Sequence, residues 1–185
     1  MKPVIKTVLD CVLGITLCSS CAHPPELAGR SAEIHWPPGH APADADLFAH
    51  NEIVIRAPCA RVWQHIVAAP RWPRWYPNAR DVVIDGDRDG VLHEGSRFSW
   101  HTFGIDVQSR ILELVPASRL GWSGQAEGLD AYHAWLLAPR DGGCQVVTEE
   151  VVKGPGAVTL RKTRPQAMHD GHALWLDALK RLSES

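Results

Sequence analysis

The chain has 185 residues and a formal net charge of −2, a length that accommodates one ordinary domain with extra segments and would cramp two. Its lysines and arginines are scattered, and a pI near 6.5 supplies no basic field to neutralise phosphates, so nucleic acid is excluded as an expected partner. Eight tryptophans against three phenylalanines and two tyrosines is an unusual balance; indoles in such number either fill a core or line an aromatic cavity.

Lys2 and Lys6 precede an apolar run over residues 11–17, followed by Ser19, Ser20 and Cys21. The pattern resembles an export signal, and Ser-Ser-Cys21 resembles the end of a bacterial lipoprotein signal, although Asp10 interrupts the run. Residues 1–21 are therefore expected to act as an export or lipoprotein-type signal that would tether the protein to a membrane through its N-terminus; the alternative is a cytoplasmic protein. The run is too short for a membrane span, which needs about 20 apolar residues. Residues 22–46 are rich in proline and alanine, with Pro24, Pro25, Pro37, Pro38 and Pro42, and read as an extended linker in which Trp36 is a candidate to dock on the domain that follows. The five cysteines make no CxxC pair, which suggests neither a zinc site nor a redox motif. Cys59 and Cys144 read as two buried thiols, with a disulfide between them as the alternative in an exported protein.

The domain is expected over residues 47–185. Ile53, Ile55 and Ala57 alternate with Glu52, Val54 and Arg56, the period-2 signature of a strand with one buried face. Pro58 ends it and suits the first turn of a helix, in which Val62, Trp63 and Ile66 recur at helical spacing. The stretch 70–77 is too proline-rich for a long helix and reads as a helical corner carrying Trp72 and Trp75 inward. Strands are then expected over residues 82–84, 97–103, 105–115, 119–123, 131–137 and 145–152, joined by short turns at Gly104, Pro116, Gly124 to Gly128 and Asp141 to Gly143. Short connections between successive strands make an antiparallel meander. From Pro165 the period changes: Met168, His172, Trp175, Leu179 and Leu182 mark an amphipathic terminal helix laid against something apolar.

The run "IVIRAPCARVWQHIVAAPRWPRWYPNARDV" resembles the opening of SRPBCC (START-like) proteins of the polyketide cyclase/dehydrase-like group; "GSRFSW", "YHAWLLAP", "GGCQVVTEE" and the closing helix are similar to its later strands and grip helix. The resemblance spans roughly Phe48 to Leu182. It implies an α+β helix-grip fold, with a curved antiparallel sheet of about seven strands wrapped around the long C-terminal helix and two short helices after the first strand, in agreement with the element order. It also implies an apolar cavity between sheet and helix. Members of the wider family include lipid and steroid carriers, hormone receptors, cyclases, oxygenase subunits and co-chaperones, so the fold does not assign chemistry.

Three functions from different classes are open. The leading expectation is binding or transport of a hydrophobic small molecule, a lipid, polyketide or aromatic compound, in a pocket formed by Trp100, Trp122, Tyr132, His133, Trp135, Met168, His172 and Trp175. The second is a cyclase- or isomerase-like enzyme in which His133 and Glu149 or Glu150 move a proton. Strand alternation lets only one of Tyr132 and His133, and only one of Glu149 and Glu150, face the cavity. The third is a co-chaperone-like interaction module, for which no groove is specified. His169 and His172 lie three apart without an H-E-x-x-H pattern, so no metal is expected; no GxGxxG, P-loop or GxSxG element occurs, and no cofactor is implied.

Overall fold

The computed structural model describes residues 32–185; the expected signal segment and the first part of the linker lie outside the described residues. Strand β1 (Leu47–Ile55) leads through Pro58 into helix α1 (Cys59–Val67) and a 3-10 corner (Ala69–Arg74). Six further strands follow: β2 (Arg80–Ile84), β3 (Arg97–Thr102), β4 (Ile105–Val115), β5 (Arg119–Ala126), β6 (Leu129–Arg140) and β7 (Gly143–Lys153). Helices α2 (Pro155–Thr163) and α3 (Ala167–Ser183) close the chain. The seven strands form one sheet in the order β1-β7-β6-β5-β4-β3-β2, antiparallel throughout. This is the expected α+β helix-grip architecture. Register shifts between Arg80 and Val83 and between Ile111 and Glu113 are the kind of irregularity that bends a sheet.

Alternation along the strands sorts side chains onto two faces. The concave face carries Phe98, Trp100, Leu120, Trp122, Trp135, Leu137 and Val146, which join Trp72, Tyr76, Trp175 and Leu179 in one buried cluster. Within the terminal helix Met168, His172, Trp175 and Leu179 are all buried, at successive spacings of four, three and four, so the apolar stripe faces the sheet as its period requires. Trp72 sits at the centre of the cluster, fully buried, and its indole N–H donates to the Ile66 carbonyl at 2.9 Å. Trp75, expected beside it, is only half-buried, because it caps the 3-10 turn with its amide bonded to the Trp72 carbonyl.

Two features differ from the expectation, and the docking expected of Trp36 extends further along the arm. Cys59 and Cys144 form a disulfide across a sequence separation of 85, not two free thiols; the start of α1 is brought against the first residues of β7, with Cα atoms 5.0 Å apart. The linker is docked along residues 32–46: Ile34 is buried against Tyr132, Ala134, Leu136 and Val147 on the outer face of the sheet, and Trp36 meets Phe48 and Tyr132 edge-on at 6.4 and 5.7 Å. Helix α2 was not among the expected elements, and Gly154, Pro155 and Gly156 would ordinarily interrupt a helix. Gly154 instead takes φ 104 as the residue before the helix and Pro155 occupies its first turn, where a missing N–H costs nothing. Among the described residues no helix is long and apolar enough to cross a membrane.

Candidate functional site

The concave face is filled at one end and open at the other. Toward the β3–β4 and β5–β6 turns its residues become small: Gly124, Ala126 and Ala131 follow Trp122 and precede His133 on the paired strands β5 and β6. Beyond the indoles this leaves a cavity of about 880 Å³, within the roughly 300 to 1,000 Å³ of small-molecule pockets. Trp100, Trp122 and Trp175 form its inner end, Val107, Leu129 and Val152 its sheet wall, and Leu160 of α2 with Met168 of α3 its helical wall. Phe103, in the β3–β4 turn with φ 51, reaches across to α3 and packs its ring on Gly171; any side chain at 171 would collide with that ring. The glycine thus lets the turn and the helix meet over the cavity.

A buried polar cluster interrupts these apolar walls, and Thr102 with the exposed Asp106, Glu127 and Arg164 also lines the cavity. His133 on β6 faces Glu150 on β7 in direct register, and His172 on α3 descends from the opposite side. His172 Nε2–H donates to Glu150 Oε2 at 3.0 Å, and His133 Nδ1 lies 3.8 Å from the same oxygen. On its far side His133 Nε2 is 2.6 Å from Thr148 Oγ1, and its ring lies 4.6 Å from Trp122 and 5.5 Å, stacked, from Trp135. Both histidines are almost wholly buried. Burial, reinforced by His172 and opposed by the charge of Glu150, pushes the His133 pKa down to about 3, so the ring is neutral near pH 7. Burial also disfavours the Glu150 carboxylate, but His133 beside it and the hydrogen bond from His172 outweigh that and hold it below its ordinary value. Tyr76, stacked on Trp175 at 4.3 Å, is pushed up by burial, with the Glu150 charge adding to the effect; it remains a neutral phenol, its oxygen bonded to Asn78 at 3.0 Å. The set therefore combines a carboxylate with two imidazoles, that of His133 neutral, at a cavity wall. It can orient a polar group, exchange a proton or hold a metal ion.

Of the residues singled out in the sequence, Trp100, Trp122, His133, Met168, His172 and Trp175 line the cavity. Tyr132 does not: it points to the outer face, under Trp36, because His133 takes the inward register. Trp135 is on the concave face but lies among the packed indoles, 5.0 Å from Trp175, beyond the cavity. Glu149 also faces outward; it is fully buried and accepts a hydrogen bond from His50 Nδ1 at 2.8 Å, so of the two adjacent glutamates Glu150 alone meets His133. Thr148 and Tyr76 were missed. Thr148 was legible in principle, two residues before Glu150 and hence on its face, whereas Tyr76 reaches the site only through the corner's tertiary path.

A seven-stranded antiparallel sheet, a long terminal helix against it and a cavity with a buried polar centre define an α+β protein of the helix-grip class. The model of the family described as "Polyketide cyclase / dehydrase and lipid transport" matches residues 49–184, and the chain belongs to that family. A crystal structure of a hypothetical protein from Helicobacter pylori is 32% identical, with TM-score 0.76, over 83% of this chain and 98% of that one. At the level of fold alone the chain is similar to the di-domain ARO/CYC StfQ of the steffimycin biosynthetic pathway, at 14% identity and TM-score 0.63 over 75% of this chain and 52% of that one. It is likewise similar to truncated norcoclaurine synthase from Thalictrum flavum, at 16% identity and TM-score 0.57 over 73% of this chain and 91% of that one. No curated protein is significantly similar.

Proposed function

We propose that the domain encloses a hydrophobic small molecule bearing one polar group, the apolar body lying along Val107, Leu129, Val152 and Met168 and the polar group meeting His133, Glu150 and His172. The observation that carries this reading is a cavity of about 880 Å³ whose largely apolar inner walls hold the buried His133, Glu150 and His172 cluster. Polar groups so placed inside an apolar pocket fix orientation, while the walls supply affinity by burial. The indole N–H of Trp175 supports it: among the described residues that buried donor has no partner, and Trp175 lines the cavity. The test is titration with a fluorescent anilinonaphthalene sulfonate, read through its own emission and tryptophan quenching. One probe should bind per chain, and Ala131→Phe, which fills the cavity from the sheet side, should weaken binding at least about tenfold with the unfolding midpoint retained. Stoichiometric binding unchanged by that substitution would place the probe elsewhere and remove the support for the pocket.

A second reading, a cyclase- or isomerase-like enzyme, is favoured by one specific observation: the neutral His133 and the ionised Glu150 converge within one cavity. A partly buried carboxylate beside two imidazoles is equipped to take a proton from carbon next to a carbonyl. Location is a separate matter. We infer that residues 1–21 direct export, a reading the Cys59–Cys144 disulfide supports, since disulfides persist in oxidising compartments.

A further inference from the structure

We propose that His133, Glu150 and His172 form a binding site for one divalent first-row transition-metal ion, open toward the cavity. The inference goes beyond the ligand-binding reading and does not depend on it. His133 Nδ1, Glu150 Oε2 and His172 Nε2 all lie within 4.8 Å of one another, with separations of 3.8 and 3.0 Å between the carboxylate oxygen and the two nitrogens. Four-coordinate ions held at about 2.0 to 2.2 Å set their ligand atoms about 3.3 to 3.5 Å apart. The ligand atoms therefore bracket the required spacing, and adjustments of less than about an ångström bring them onto one ion. The donors come from three different elements, β6, β7 and α3, which is why a motif search along a single helix finds nothing.

The donor set decides the class of ion. Two imidazoles and one carboxylate suit zinc, iron or cobalt, whereas calcium and magnesium favour all-oxygen sets. Three protein ligands leave at least one coordination position for solvent or a bound oxygen atom, and because all three line the cavity that position faces whatever the cavity encloses. The outer shell is built on one side: Thr148 Oγ1 at 2.6 Å holds the far nitrogen of His133, leaving its Nδ1 toward Glu150. The far nitrogen of His172 has no partner among the described residues. An outer-shell partner is worth roughly 10- to 100-fold in metal affinity, so a site supported at one histidine is expected to bind zinc by about that factor more weakly than one supported at both.

The experiment uses the full chain, stripped with chelator and titrated with Zn²⁺ by calorimetry and with Co²⁺ by visible absorption. One Zn²⁺ per chain is expected, weakened at least about 100-fold by Glu150→Gln and by His172→Gln, with intense Co²⁺ bands of a four- or five-coordinate ion in the unsubstituted protein. Zinc uptake that both variants retain, or a cobalt spectrum no stronger than that of the hydrated ion, overturns the proposal. Should a variant fail to fold, the cobalt spectrum of the unsubstituted protein decides alone. Titration of the metal-free protein with the anilinonaphthalene probe keeps the two readings apart: probe binding without metal binding sinks the metal site alone.

Discussion

Replacing Trp72 with alanine should unfold a large part of the stability of this domain, and its surroundings indicate how much. The side chain is fully buried, and its ring centroid lies 5.1 Å from Trp175, 5.4 Å from Trp100, 5.8 Å from Phe98 and 5.9 Å from Trp122. Truncating a large core aromatic costs about 3 to 5 kcal/mol. The upper end applies here, because four rigid rings anchored on different strands and a helix cannot all collapse into the hole, and each aromatic pair carries about 0.5 to 1.5 kcal/mol beyond simple burial. The Ile66 carbonyl, now bonded to the indole at 2.9 Å, loses a partner worth about 1 kcal/mol. These contributions overlap, and a loss of about 4 to 5 kcal/mol is expected, against a total stability of about 5 to 15 kcal/mol for a typical domain. Trp75→Ala is the control: half-buried and 6.5 Å from Tyr76, it should lose under about 1.5 kcal/mol. Urea melts of the three proteins, fitted by linear extrapolation, provide the numbers. A loss below about 2 kcal/mol for Trp72→Ala, or equal losses for the two substitutions, would refute the assignment of the corner as the plug of the core.

Two further outcomes are expected. Reducing the Cys59–Cys144 bridge, which spans a sequence separation of 85, should lower stability by about 3 to 4.5 kcal/mol if it acts mainly on the entropy of the unfolded chain; a melt unchanged by reductant would show that it does not constrain that state. In chelator-treated protein, a soluble β-dicarbonyl compound should exchange its acidic carbon-bound hydrogen with deuterated water faster than in buffer, and Glu150→Gln should abolish the gain; mass spectrometry showing equal rates in both proteins would end the enzyme reading.

Periodicity made most of the fold legible. Strands such as Ile105–Val115 advertise themselves because one face is buried and the other wet, and the stripe on the terminal helix has the same cause. Strand β6 is harder: residues 131–137 are buried on both faces, and its alternation is hidden because the docked arm covers the outer side. For that reason the choice between Tyr132 and His133 stayed open along the chain, whereas pairing settles it by placing His133 opposite Glu150. Between two thiols and a disulfide, the state of Cys59 and Cys144 was likewise undecided along the chain, since it depends on β1 lying beside β7, a relation between the two ends of the domain. The meeting of His172 with Glu150 required both that pairing and the depth of the helix, and no local pattern encodes either.

The bridge between Cys59 and Cys144 lies at the start of β7, beside the end of β1, where Ile55 pairs with Cys144. The cavity lies toward the opposite end of the same strand, past Glu150 and Val152. The molecule is thus fastened like a pair of tongs, with a covalent rivet and a block of indoles at the pivot, and Phe103 resting on Gly171 where the jaws touch. Sheet and terminal helix are held at the closed end by the block of indoles, beside the bridge that ties α1 to β7, and at the other end by Phe103 on Gly171 and by Met168 packed with Leu47 and Ala49. The covalent tie thus lies at the end of the sheet away from the cavity, and among the described residues only noncovalent contacts hold sheet to helix around the cavity itself.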